Sequence, residues 1–218
     1  AILHKYGILF WADEVITAFG RTGNDFGCTT MHIQMPDQMT LAKQLSSAYY
    51  PISAAIIRGD MYEAMVEPSA EVGVFGHGYT YSGHPVGCAV ALKCLEIYQR
   101  DNLFEHAAES GRYLQQRLAE FADHPLVGEV RGRGMIAAVE LEADKDDGSP
   151  VPDGAVGAHA MQSCQRHGLI VRTVAGSSVA LCPPLILQQS QVDELIDKLT
   201  LGLEDTLAYA REQGLVRE

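Results

Sequence analysis

The chain has 218 residues, room for one large domain or two modest ones. With 47% hydrophobic and 20% charged residues it has the balance of a globular protein, and a formal net charge of −12 argues against nucleic acid or an anionic membrane surface as a partner. Five scattered cysteines form no CxxC pair and no Cys/His metal spacing, and no apolar run has the length of a membrane span or the pattern of a signal peptide, so the expectation is a cytoplasmic protein with reduced thiols and no metal.

The chain opens on Ala1-Ile2-Leu3-His4-Lys5-Tyr6-Gly7, without a start methionine. This reads as the tail of a helix closed by Gly7, and a preceding segment is expected. Residues 8–13 read as a buried strand, followed by a loop marked by Gly20-Arg21-Thr22-Gly23. Pro36-Asp37 signals a turn, 38–42 a second short strand and 52–57 a third. Asp60 is placed to cap a helix through Val66, and 67–78 read as irregular. From Pro85 the spacing turns helical, and a second helical pattern runs from Leu103 to Ala122, stopped by Asp123-His124-Pro125.

The texture then changes. Residues 127–130 and 135–142 alternate like strands about Gly132-Arg133-Gly134, and 144–154 read as a polar loop. A helix is expected over 155–167, ended by Gly168, with Cys88 and Cys94 assigned to the packed helix further upstream. A hairpin follows over 169–173 and 178–181, and a last helix opens at Ser190 with a capping box to Asp193. The domain boundary is expected in the region 103–124, giving domains 1–110 and 111–218.

Two apolar runs end abruptly in charge: Trp11-Ala12-Asp13-Glu14-Val15 and Thr40-Leu41-Ala42-Lys43. Ligands of open α/β sheets bind beyond the carboxyl ends of strands, so an acid after one strand and a lysine after another can face one pocket. Such a pair suits pyridoxal phosphate, with Lys43 forming the Schiff base and Asp13 keeping the pyridine nitrogen protonated. On these two residues alone, a capping aspartate and a solvated lysine are the commoner reading.

Their company changes that balance. Asp13-Glu14-Val15-Ile16-Thr17-Ala18-Phe19-Gly20-Arg21-Thr22-Gly23 resembles the signature of class III aminotransferases, pyridoxal phosphate enzymes of fold type I. Thr40-Leu41-Ala42-Lys43 resembles the family's Schiff-base segment. His77-Gly78-Tyr79-Thr80-Tyr81-Ser82-Gly83-His84-Pro85, Val127-Gly128-Glu129-Val130-Arg131-Gly132 with Gly134, and Pro183-Pro184-Leu185 match further blocks in family order. The resemblance implies an α/β fold: part of the mixed, mostly parallel sheet of the large domain, then an α+β small domain. It also implies that a long N-terminal half of the family pattern lies outside this chain.

By that resemblance Lys43 is the catalytic lysine and proton carrier. Asp13, Val15, Lys43 and Thr80 bind the cofactor. Val15 would lie against the ring, with plain core packing as the alternative. Thr80 would hold the phosphate of a neighbouring subunit, with a local turn as the alternative. This makes the enzyme a homodimer whose active site is shared across the interface. Arg172 occupies the place of a mobile arginine that binds the acceptor carboxylate, with an exposed strand arginine as the alternative. Arg131 and Gly134 read as hairpin architecture, Glu14 as orienting its neighbours, and His77 and His84 as loop or helix-start residues. Glycines common in the family are replaced here by Ala18, Gln44, Ala48 and Ser53. The block around Lys43 is most similar to the ω-amino acid or amine:pyruvate branch, and Ile16 stands where ornithine- and 4-aminobutyrate-type members carry glutamine. The expected reaction moves the amino group of a primary amine or ω-amino acid to a keto acid, pyruvate by preference. The alternatives are a 4-aminobutyrate, diamine or ornithine-type aminotransferase, an aminomutase, or a catalytically silent fragment.

Overall fold

The first apolar run yields only a short strand, β1 (Trp11–Asp13), rather than filling 8–13. The segment ahead of it, including α1 (Ile2–Lys5), is tied down by a side chain instead of a ladder. Asp37 accepts the Phe10 N–H at 2.6 Å, meets the His4 ring at 3.2 Å and bonds the Arg58 guanidinium. The structure is a computed structural model and describes residues 2–145, 148–151 and 154–216. The chain divides into two units, 1–104 and 105–218.

In the N-terminal unit, β2 (Gln38–Leu41) runs parallel to β1 with Asp13 opposite Thr40, and β3 (Ala54–Ile57) runs antiparallel to β2. Strand alternation sends Met39 and Leu41 to one face and Gln38 and Thr40 to the other. The Met39 face is covered by α4 (Pro85–Arg100), whose Gly87, Ala91, Cys94 and Tyr98 recur at helical spacing. Pro85 stands in the first turn, and the His84 ring accepts the Val86 N–H at 3.3 Å, so His84 is the helix-start residue the sequence indicates. Cys94 is buried on this helix, but Cys88 is exposed.

Two expectations here are corrected. The helix after β3, α3 (Gly59–Val72), extends past Val66 through Pro68 and stops at Gly73, whose φ of +87° suits a left-handed cap. The 67–78 stretch is therefore irregular only beyond Val72; one amide lost at Pro68 on a solvated helix does not end it. Asp60 is not the cap. Arg58 holds that position, and Asp60 pairs with its guanidinium from the first turn.

The C-terminal unit follows α2 (Gly27–Thr30) and α4 in the chain and opens within α5 (Leu103–Leu118), continued by a 3-10 turn over Ala119–Asp123. Strands β4 (Val127–Arg133), β5 (Ile136–Asp144), β7 (Arg172–Val174) and β8 (Ser178–Leu181) form an antiparallel sheet in the order β4-β5-β8-β7. A short β6 (Ser149–Pro150) pairs with β5, so part of the expected polar loop 144–154 is a hairpin; its residues 146–147 and 152–153 lie outside the described residues. β7 begins at Arg172 rather than 169.

Helix α6 (Ala155–Arg166) packs on α7 (Gln189–Glu212). A Cβ on Gly202 would sit 2.5 Å from the Cys164 sulfur and 3.1 Å from its amide nitrogen, so the crossing needs glycine. The capping box of α7 is Gln188 with Gln191, not Ser190 with Asp193; Asp193 instead takes the Tyr113 hydroxyl at 2.6 Å. Among the described residues no helix is long and apolar enough to cross a membrane.

Candidate active site

Because β1 and β2 are parallel, both leave the sheet at the same end. Asp13 is the last residue of β1, and Lys43 follows its register partner Thr40 by three positions. The Glu14 amide still bonds the Thr40 carbonyl at 3.0 Å, holding the two chains together as they exit. Asp13 is exposed, and its Oδ1 accepts the Val15 N–H at 3.1 Å. That is the turn-capping behaviour of a strand-end aspartate, and it leaves Oδ2 without a partner among the described residues. β1 ends at Asp13, so Val15 lies beyond the strand, half-buried, with its N–H on the Asp13 carboxylate.

Glu14, read only as an orienting neighbour, is the hub of this corner. It is 2% exposed and accepts the Gly27 N–H at 2.8 Å, the Cys28 N–H at 2.7 Å and the Thr17 hydroxyl. Burial pushes its pKa up, but the Thr17 hydroxyl and the two backbone amides outweigh it, and the net direction is down. Gly27 is required for this approach, since a Cβ there would lie 2.8 Å from the Thr17 Cβ. Burial, reinforced by the nearby Glu14 carboxylate, raises the Cys28 thiol to about 11, so it is no nucleophile.

Lys43 is exposed and sits at the head of a 3-10 turn, Lys43–Leu45, with φ of +44°. Beyond it the Ser46 hydroxyl donates to the Tyr50 carbonyl at 2.6 Å, and Leu45 is buried against the α4 face. Thr80 lies in an exposed turn before α4 in which Tyr79 and Ser82 bond each other; its own hydroxyl has no partner among the described residues. Trp11, missed in the sequence, donates from its indole to the Thr40 hydroxyl at 2.7 Å across the open face.

The structure brings Asp13, Val15 and Lys43 to one sheet end; Arg172 belongs to the other unit. It opens β7, exposed, opposite Ala180, which pairs with Ala138, which pairs with Arg131. Arg131 is engaged by Glu140 at 2.6 Å, Glu129 at 2.9 Å and Ser178 at 3.1 Å, as its architectural reading requires.

A family model described as aminotransferase class-III matches residues 1–203. The chain belongs to the class-III aminotransferase family. Among curated proteins it is 44% identical over 207 residues to gamma aminobutyrate transaminase 3, chloroplastic, of Solanum lycopersicum, covering 94% of this chain and 39% of that one. It is 45% identical over 208 residues to putrescine–pyruvate aminotransferase of Pseudomonas aeruginosa, covering 95% of this chain and 44% of that one. Among solved structures, the omega transaminase from Pseudomonas jessenii in complex with PMP superposes with a TM-score of 0.91 at 46% identity, over 95% of this chain and 46% of that one. The class-III chain described here thus spans less than half the length of these relatives, and its fold is that of the matching part of an omega transaminase.

The donor set fits the cofactor of such an enzyme. An unengaged carboxylate oxygen on Asp13 suits a ring N–H, an exposed amine on Lys43 suits an aldehyde, and the unengaged Thr80 hydroxyl suits a phosphate oxygen.

Proposed function

We infer that this chain is part of a pyridoxal phosphate-dependent aminotransferase that moves nitrogen from a primary amine or ω-amino acid to a keto acid. The observation that carries the reading is the parallel β1–β2 pair delivering Asp13 and Lys43 to one end of the sheet. Pyridoxal phosphate, when bound, supplies the electron sink that makes the substrate's C–H bond acidic. The chain's own part is positional. The Asp13 carboxylate keeps the proton on the ring nitrogen. The Lys43 amine would hold the cofactor's aldehyde carbon, and the same amine would carry the proton taken from the substrate carbon bearing the amine. Glu14 holds the corner rigid without touching the reaction. Thr80 offers its hydroxyl to a phosphate across a homodimer interface, and Arg172 offers a two-point partner for the acceptor's carboxylate. The cysteine pattern supports a cytoplasmic location.

The similarity to both 4-aminobutyrate and putrescine–pyruvate enzymes supports a donor with its amine on an unbranched terminal carbon, and pyruvate as the acceptor. The test uses the intact protein incubated with pyridoxal phosphate, reduced with borohydride and mapped by peptide mass spectrometry. A pyridoxyl adduct on Lys43 is expected; an adduct elsewhere, or none, sinks the assignment. A donor panel run with pyruvate and with 2-oxoglutarate then tests the acceptor, and faster turnover with 2-oxoglutarate would reject the pyruvate preference.

A further inference from the structure

The backbone around Lys43 is held where an ordinary residue rarely stays. Lys43, Ser47 and Ala48 have φ of +44°, +47° and +64°. This is the left-handed region, where a Cβ is penalised and glycine is the usual occupant. Such conformers persist only when their surroundings over-determine them.

Besides the Ser46 bond to Tyr50, the turn is anchored by one polar side chain on α4. Tyr98 is 5% exposed, and its hydroxyl donates to the Gln44 carbonyl at 2.6 Å. With its one proton used there, it accepts from the Ser47 hydroxyl at 2.5 Å and from the Gln44 side-chain amide at 3.2 Å. The Gln44 amide also lies 3.3 Å from the Ser47 oxygen, closing a ring of polar contacts under the turn. Burial raises the phenol's pKa and keeps that donor proton in place. The Tyr98 ring packs on Phe104 at 5.8 Å and among Leu41, Leu45, Ala91 and Cys94, so its hydroxyl has a fixed base.

We propose that Tyr98 is a positioning residue for Lys43: through the Gln44 carbonyl and Ser47 it pins the turn 43–48 and so fixes the direction in which the lysine amine leaves the end of β2. The proposal rests on the reading of Lys43 as the cofactor-bearing lysine. Tyr98 acts through the Gln44–Leu45 peptide bond, one residue beyond Lys43, and touches neither cofactor nor substrate. Phenylalanine at 98 would keep the packing and remove the three contacts of the phenol hydroxyl, leaving only the Gln44–Ser47 contact, which separates the polar clamp from the core.

The test compares the intact protein with its Tyr98→Phe and Ser47→Ala variants. Without cofactor, hydrogen exchange at the Leu45, Ser46 and Ser47 amides, which bond Ala42, Lys43 and Gln44 carbonyls, is expected to run about tenfold faster in Tyr98→Phe. With pyridoxal phosphate bound, the midpoint of the cofactor's absorbance change with pH is expected to move, and kcat to fall roughly tenfold with KM for the amine within about twofold. Faster exchange with an unmoved midpoint would reduce Tyr98 to a packing residue and overturn the proposal. Unchanged exchange would overturn it too. If Tyr98→Phe does not fold, Ser47→Ala decides, with a moved midpoint for the proposal and an unmoved one against it. An unsubstituted protein that forms no adduct at Lys43 overturns the functional reading itself, and the proposal with it, and is distinguishable from the other outcomes because no variant is involved.

Discussion

The two units bury their apolar residues very differently. The largest fully buried side chains, Leu114, Leu118, Leu126, Met135, Leu141, Leu199 and Leu203 among them, all belong to the C-terminal unit. There the described large apolar residues left exposed are Met161, Ile170, Ile186 and Leu201. The N-terminal unit exposes Trp11, Tyr49, Phe75, Tyr79 and Tyr81, each more than half open, and its own cluster is the thin layer between one sheet face and α4. The lesson is a division of labour: the C-terminal unit is stabilised by its own core, whereas the unit carrying Asp13 and Lys43 owes its local geometry to buried polar hubs.

The largest expected effect tests the first half of that contrast. Leu203→Ala empties a site with no solvent exposure on α7 and should cost about 3 kcal/mol. Ile56→Ala, half exposed on β3, should change stability by less than about 0.5 kcal/mol. Urea unfolding of the intact protein measures both. Equal effects would break the contrast.

Second comes the polar hub. Glu14→Gln keeps one acceptor oxygen but turns an NH2 group toward a backbone amide of Gly27 or Cys28, leaving a buried donor facing a donor. A cost of about 2 kcal/mol is expected. The pH dependence follows from the lowered pKa of Glu14. Its contribution is complete above the ordinary value of 4.5 and is lost as pH falls below that toward the folded-state value. A Glu14→Gln variant should therefore lose less stability than the parent on acidification below pH 4.5. Parallel acid titrations followed by circular dichroism would show it.

Why the sequence marks Glu14 only as an orienting neighbour and does not mark Tyr98, while it singles out Asp13 and Lys43, has a physical answer. An apolar run breaking into charge is a local signal, and the parallel strands place it where expected. The face of α4 at Ala91, Cys94 and Tyr98 is likewise written in helical spacing. Glu14 reaches amides thirteen and fourteen residues away, and Tyr98 a turn more than fifty residues away. Such bonds leave no periodicity. The same holds for Asp37, whose partners Phe10, His4 and Arg58 meet only in the fold. Helix ends failed for a smaller reason: Asp60 and Ser190 look like caps, but Arg58 and Gln188 occupy those positions.

A third, smaller effect concerns an imperfection in the well-packed unit. His124 accepts the Leu126 N–H on Nδ1 at 3.1 Å, so its proton sits on Nε2, which is buried without a hydrogen-bond partner 3.7 Å from Glu204. Burial lowers its pKa; Glu204 opposes this, and the charges of Lys145 and Arg211 add to it. The unfolded chain therefore binds the proton first, and stability should decline as pH falls below the ordinary value of 6.5. His159, lowered by burial and by Arg166, declines in the same sense. His124→Asn preserves an acceptor for the Leu126 amide and removes the titration. It should flatten part of the stability loss between neutral pH and the carboxylate range, leaving the His159 share. Thermal melts in matched buffers check this, and an unchanged slope would show that His124 escapes its burial.

The smallest effect sharpens the contrast at the site itself. Ala48 has φ of +64° in an exposed turn, a backbone region that favours glycine. Glycine there would remove a left-handed penalty of about 1 kcal/mol and return roughly half of it as unfolded-chain entropy, for a net gain of roughly 0.5 kcal/mol. If the turn is held chiefly by the Tyr98 clamp, Ala48→Gly should raise stability in the parent and restore part of what Tyr98→Phe loses, because both act on the same strained backbone. A double-mutant cycle reads that coupling. Strict additivity would mean that the strain at Ala48 and the bonds of Tyr98 are independent, and that the turn bearing Lys43 is set by its own sequence rather than by α4.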